Sequence, residues 1–240
     1  MQQHFLLAGL RRHTHRNHLA AHLRAWVGWL LMAYMTWLGL FSTAQAAPVL
    51  RTQVNQHGDF VIFGNTLAHD CAAVTPTPVV GTVGACGTNT SESAPDIYWQ
   101  SDAPAAGQAQ ANTSITPAQA RSTAVLQLPV GAQVTHAYLY WSATSTATMD
   151  KGKFATLDLP GSITTQITAT QTLSSINNSY RSFADITSLV QTQGAGAYRV
   201  GGINLDSLAN LYDNLPYAAW WIVVLYELPR EPLRNLAVVV

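Results

Sequence analysis

The sequence predicts an all-β fold: an antiparallel β-sandwich, jelly-roll-like or immunoglobulin-like, with one short helix, behind an N-terminal signal peptide. Three observations predict it. Past residue 46, threonine outnumbers lysine 22 to 2, and β-branched residues suit the pleated, half-buried surface of a sheet. Apolar residues recur at every second position in several runs, while only one short segment spaces them by three and four. The chain opens with a basic stretch, then an apolar stretch, then a small-residue stop, the order of an export leader.

The leader comes first. Arg11, Arg12, Arg16 and Arg24 supply its charge, and no acidic residue precedes Asp59. Residues 25–41 form an uncharged apolar run of 17 residues, followed by Ala44-Gln45-Ala46, a pattern that places cleavage before Ala47. The expected organisation is therefore a signal peptide over 1–46, with a long basic n-region, and a single β-sandwich domain over 47–240. An uncleaved anchor is the alternative, since 17 residues lies at the short end of a membrane span. The five histidines of the n-region (His4, His13, His15, His18 and His22) suggest a metal tract, but a removed leader has no use for one.

The strands follow in order. Residues 59–67 (DFVIFGNTL) read as a strand that breaks at Gly64-Asn65. Ile97-Tyr98-Trp99 is a short aromatic strand. Residues 101–120 read as a long surface loop, within which Thr116 and Pro117 open a single helical turn. Residues 123–128 form a strand closed by the turn Pro129-Val130-Gly131-Ala132. In 134–142 (VTHAYLYWS), Ala137, Leu139 and Trp141 share one face and His136, Tyr138 and Tyr140 the other. With both faces apolar or aromatic, this strand is expected to be central. Residues 154–159 and 162–172 give two strands around Pro160-Gly161, the second with Ile163 and Ile167 facing inward. Phe183, Ile186, Leu189 and Val190 take helical spacing, with Asp185 near the start and Gly194-Ala195-Gly196 at the end. Residues 197–203 return as strand. Residues 218–228 (AAWWIVVLYEL) are the most apolar stretch beyond the leader and read as a buried strand. Residues 235–240 begin another strand in which the chain stops, which leads us to expect a piece of a longer protein.

Cys71 and Cys86 are the only cysteines. An even count behind an export signal reads as a disulfide, which would close a turn-rich loop and contribute about 3 kcal/mol on the chain-entropy model. Ligation of a metal is the weaker reading of the pair, as no further cysteine or paired histidine completes a site.

Charge excludes some partners. Beyond residue 46 eight basic residues face twelve acidic ones, a net charge of −4. A mildly acidic chain without a basic stripe is not built for nucleic acid. The membrane is met only through the leader, during export or as an uncleaved anchor.

Four stretches, 58–71 (GDFVIFGNTLAHDC), 123–144, 184–204 and 218–239, together resemble an uncharacterised β-sandwich domain found at the N-terminus of large bacterial secreted and cell-surface proteins, adhesin-like and carrying fimbrial-type repeats. The resemblance implies a secreted or cell-surface location and downstream repeat modules, and it brings no established active site. This chain ends inside the last of the four stretches.

Motifs for chemistry are sparse. His57 and Asp59 with His69 and Asp70 form the best imidazole–carboxylate set for a metal, yet such pairs arise easily near turns and turn and capping roles are the preferred reading, so neither metal nor other cofactor is expected. No G-x-S-x-G turn marks a nucleophile, the acids are scattered singly rather than paired, and His136 sits among aromatics in mid-strand. No catalytic residue is assigned. The expected function is a non-enzymatic structural or adhesive domain whose partners are surface glycans or other surface proteins. Two alternatives stay open: a carbohydrate-binding module using Tyr138, Tyr140, Tyr98 and Trp99, and a secreted hydrolase.

Overall fold

The computed structural model describes residues 49–70, 97–103, 108–111, 115–161, 163–175, 178–206 and 217–239. The leader, Cys71 and Cys86 lie outside the described residues. Residues Leu50–Val239 form one compact unit. It is an all-β sandwich of two largely antiparallel sheets with, among the described residues, one α-helix, and no described helix is long and apolar enough to cross a membrane.

The strands are β1 (Leu50–Thr66), β2 (Ala68–Asp70), β3 (Ile97–Ala103), β4 (Gln108–Ala111), β5 (Arg121–Leu126), β6 (Gln133–Thr144), β7 (Phe154–Leu159), β8 (Ile163–Thr168), β9 (Gln171–Ser174), β10 (Ser179–Asp185), β11 (Gly196–Gly201), β12 (Ala218–Glu227) and β13 (Leu233–Val239). Helix α1 (Thr187–Gln193) lies between β10 and β11. The first sheet has the order β13-β1-β12-β6-β10-β9. The second has β2-β3-β5-β11-β7-β8, with β4 paired to β3. The pairing is antiparallel except for one parallel bridge, Ser101 to Arg121, that joins β3 to β5.

Alternation decides which residues meet between the sheets. Ala137, Leu139 and Trp141 of β6 and Trp220, Ile222 and Val224 of β12 point inward, to meet Leu126, Leu157, Tyr198 and Val200 from the other sheet. Phe63 of β1 packs edge-on to both Tyr198 and Trp220, with centroids 5.6 and 6.3 Å apart. Trp141 and Trp220 sit directly opposite in register, and both are buried. An indole N–H taken out of water must find an acceptor. That of Trp220 donates to Ser122 Oγ across the sandwich at 2.8 Å, and that of Trp141 donates to the Gly152 carbonyl at 3.1 Å. The same carbonyl accepts from Ser182 Oγ at 2.7 Å, while the Gly152 N–H donates to Asn204 Oδ1 at 3.0 Å. Gly152 has φ +68°, and a Cβ there would lie 2.3 Å from the Tyr180 ring, so only glycine fits.

Strands β6, β7 and β12 match the expectation closely, and β6 is central between β12 and β10. The helical turn at Thr116 also forms: Pro117–Gln119 is a short 3-10 helix, closed by the Thr116 N–H donating to Gln119 Oε1. Other expectations need correction. The first strand begins at Leu50 and runs through Gly64, where the absent Cβ lets the backbone of Trp220 and Trp221 approach; a Cβ would lie 2.2 Å from the Trp220 carbonyl oxygen. Residues 101–120 are no simple loop, since β3 and β4 occupy much of them and Asp102, Ile115 and Ala120 are buried. The run 162–172 splits into β8 and β9, which belong to different sheets. Ile167 is buried as expected but Ile163 is exposed. Phe183 belongs to strand β10 rather than the helix, which starts later, its Thr187 N–H bonded to Asp185 Oδ1 at 2.9 Å.

One prediction follows from the Gly152 knot. Gly152→Ala should lower the unfolding free energy by at least about 2 kcal/mol, combining overpacking with a left-handed backbone. Urea unfolding checks it; a midpoint equal to that of the parent protein would refute the packing account.

Candidate functional site

The outer face of the first sheet carries His136, Tyr138 and Tyr140 of the side chains singled out by sequence. Across it, Phe183 on β10, Tyr140 on β6 and Trp221 on β12 are neighbours in register. Their rings form a stacked ladder, 5.9 Å between Phe183 and Tyr140 and 5.3 Å between Tyr140 and Trp221. His136 and Tyr138 stack one step further along β6, 6.3 Å apart.

This face is covered rather than open, which corrects the expectation that Tyr138 and Tyr140 are exposed. Strand β1 is shared between two partners: residues 58–66 pair with β12 and 50–57 with β13. From the 50–57 half, Arg51 reaches the ladder. A register irregularity between Leu50 and Thr52 lets Arg51 place its guanidinium 3.6 Å from the centre of the Phe183 ring and donate from Nη2 to Gln171 Oε1 at 2.7 Å. Tyr138 and Tyr140 are left only 7% and 3% exposed. Burial pushes the Tyr140 hydroxyl above its ordinary pKa, against the opposing pull of Arg51. Trp99, at 2% exposure, belongs to the core. Tyr98 sits in β3 opposite His69. Tyr138, Tyr140 and Trp99 therefore offer no free stacking surface.

Of the metal candidates, His57 and Asp59 have partners within the fold. His57 Nδ1 lies 2.8 Å from the Glu231 carbonyl, and Asp59 pairs with Arg234 at 3.6 Å. His69 and Asp70 are in β2, opposite Tyr98 and Ile97. Among the described residues no group of three or more His, Cys, Asp or Glu could hold a metal ion.

Two features escaped the sequence reading. The first is a polar row across the outer face of the second sheet: Thr123, Arg199, Asp158 and Thr164 are successive neighbours in register. Arg199 forms an ion pair with Asp158, Thr164 Oγ1 donates to Asp158 Oδ1 at 2.6 Å, and Arg199 Nη1 donates to the Asp102 carbonyl at 2.7 Å. The Asp102 carboxylate is fully buried, accepting from the Thr123 N–H at 2.9 Å. Burial drives its pKa up to about 6, with the Thr123 bond and the Arg199 charge only partly offsetting it.

The second is a cleft of about 200 Å³ on the outer face of the first sheet, beyond the ladder, lined by Ser142, Leu173, Ser174, Ser175, Ser179, Tyr180, Arg181 and Tyr217. Arg181 lies between Ser142 and Leu173 in register. Ser142 Oγ donates to the Tyr180 carbonyl at 2.6 Å. Its hydrogen is thereby used, so the Tyr217 hydroxyl, 2.8 Å away, must donate to Ser142 Oγ. That bond pins a ring that is 42% exposed. The ion pairs among the described residues are Lys153–Asp150, Arg199–Asp158 and Arg234 with Asp59 and Glu231; Arg181 is in none of them. The alternation of Arg181 with Phe183 was the available signal for its outward face, masked by the helical spacing that Phe183 also satisfies.

The chain matches no protein-family model, no curated protein and no solved structure.

Two outcomes test these geometries. Arg51→Ala should cost about 0.5–2 kcal/mol and speed amide exchange in residues 50–57 and 233–239 while β6 and β12 stay protected; uniform exchange rates across the sheet would contradict the covering role. For Asp102, the folded carboxyl (about 6) holds its proton more tightly than the unfolded one (about 3.9). Its contribution is thus fully favourable below pH 4 and is lost as pH rises through 6. Unfolding at pH 4, 5 and 7 should show Asp102→Asn gaining on the parent protein as pH rises; a constant difference would exclude a buried, titrating carboxyl.

Proposed function

We propose that the chain is a non-enzymatic structural or adhesive domain of an exported bacterial surface protein. The observation that carries this reading is where most of the described carboxylates go. Asp158 ties β7 to Arg199 and to Thr164. Asp185 holds the start of α1. Asp206 fastens Thr146 through its N–H and its hydroxyl, each at 2.8 Å. Asp59 and Glu231 converge on Arg234, and Asp150 pairs with Lys153. Acid–base or metal chemistry needs carboxylates aimed at a ligand; these are aimed at the fold. The start of the compact unit at Leu50, a few residues past Ala46, fits a leader that ends there.

A second reading, a carbohydrate-binding module, is favoured by the cleft, with its pinned Tyr217, its serine hydroxyls and Arg181. The ligand surface then lies beyond the ladder rather than on Tyr138 and Tyr140. On either reading the partners are surface glycans or other surface proteins, and the location is secreted or cell-surface.

Expression with the native leader in a bacterial host tests the first step. The exported product should have a mass that begins at Ala47. A cytoplasmic product that keeps residues 1–46 would sink the export reading, and a membrane-bound one of full length would replace cleavage by anchoring. A glycan array with the exported protein then separates adhesion through sugars from adhesion through proteins.

A further inference from the structure

The cleft has a built character that a random surface hollow lacks. One wall is the Tyr217 ring, held in place by its hydroxyl bond to Ser142, which is itself held by the Tyr180 carbonyl. Leu173, half exposed, lies on the other side of Arg181. Ser174 and Ser179 add hydroxyls at the rim. Arg181 lies in the middle of the row, exposed and outside the ion pairs of the described residues.

We propose that this cleft binds a carboxylate-bearing sugar residue, a hexuronate or a like acidic monosaccharide unit. The assignment rests on the adhesive reading above and names its ligand class. The guanidinium presents a planar fork of donors that matches a carboxylate and is charged at every physiological pH. Serine hydroxyls donate and accept, as ring hydroxyls require. An aromatic wall fixed before binding takes the apolar C–H face of a pyranose without losing side-chain freedom at the moment of contact. At about 200 Å³ the space lies below the roughly 300–1,000 Å³ of drug-sized pockets, which suits one sugar ring rather than a long chain. A bare carboxylate would leave Tyr217 and the serines unused, and a neutral hexose would leave the charge of the arginine unmatched.

The experiment is calorimetric titration of the exported protein with glucuronate, glucose and acetate. Glucuronate should bind at least about tenfold more tightly than either partial ligand, a factor equal to about 1.4 kcal/mol. Arg181→Ala should remove that advantage, and Arg181→Lys should restore only part of it, because an ammonium lacks the fork. Tyr217→Leu should weaken glucuronate and glucose alike. Arg181 is exposed, so its variants should unfold at the parent temperature, which verifies that a loss of binding is local. Equal affinities for glucuronate and acetate, or an Arg181→Ala variant that still discriminates, would overturn the proposal. A glycan array run with both proteins keeps the two claims apart: spots bound equally by the parent and Arg181→Ala refute the cleft and leave adhesion standing.

Discussion

Two indoles placed side by side set the terms for the rest of the molecule. Trp141 and Trp220 face each other across neighbouring strands, and each carries one polar atom into the driest part of the sandwich. An unsatisfied N–H there would cost about 1–3 kcal/mol. The two solutions point in different directions. Trp220 is answered by Ser122 on the opposite sheet, which fixes how the sheets slide relative to one another. Trp141 is answered by the turn before β7, which in turn gathers Ser182 and Asn204 around Gly152. A core that would otherwise be held by non-directional burial thus gains a definite register.

How far the sequence speaks for itself depends on where its patterns come from. β6, β7 and β12 are legible because period-two alternation and a run apolar on both faces belong to the strand itself. The split between β8 and β9 is not, because ITTQITATQTL offers no glycine or proline at the point where the chain changes sheets. Nor is β3 legible over its whole length. Its polar Gln100 and Asp102 look like loop residues, yet Gln100 Nε2 reaches the carbonyls of Thr66 and Ala68 and Asp102 reaches Thr123. Burial of a polar residue is legible only when its distant partner is known.

The same limit explains the tyrosines. Alternation correctly places Tyr138 and Tyr140 on one face, opposite the core residues Leu139 and Trp141. It says nothing about what lies over that face, and the cover comes from Arg51 and its strand, far away in sequence. Within the same sheet face, a few steps along β10 change the environment from a sealed aromatic stack to an open, hydroxyl-lined cleft. Arg51 keeps the Tyr140–Phe183 part of this face from solvent, while Phe60 and Ile62 of β1, on the same face, stay exposed.

The sharing of β1 also bears on when the chain can fold. Gly58 finds its partner only at Glu227, and Val54 only at Leu236, so the first strand has no ladder until β12 and β13 are present. Such pairings are slow to form, since the entropy of closing the whole intervening loop must be met before they gain anything. A growing chain of this design keeps β1 unpaired until residues 218–239 have been made. Among the described strands, the closure of β1 onto β12 and β13 is therefore the late step of folding.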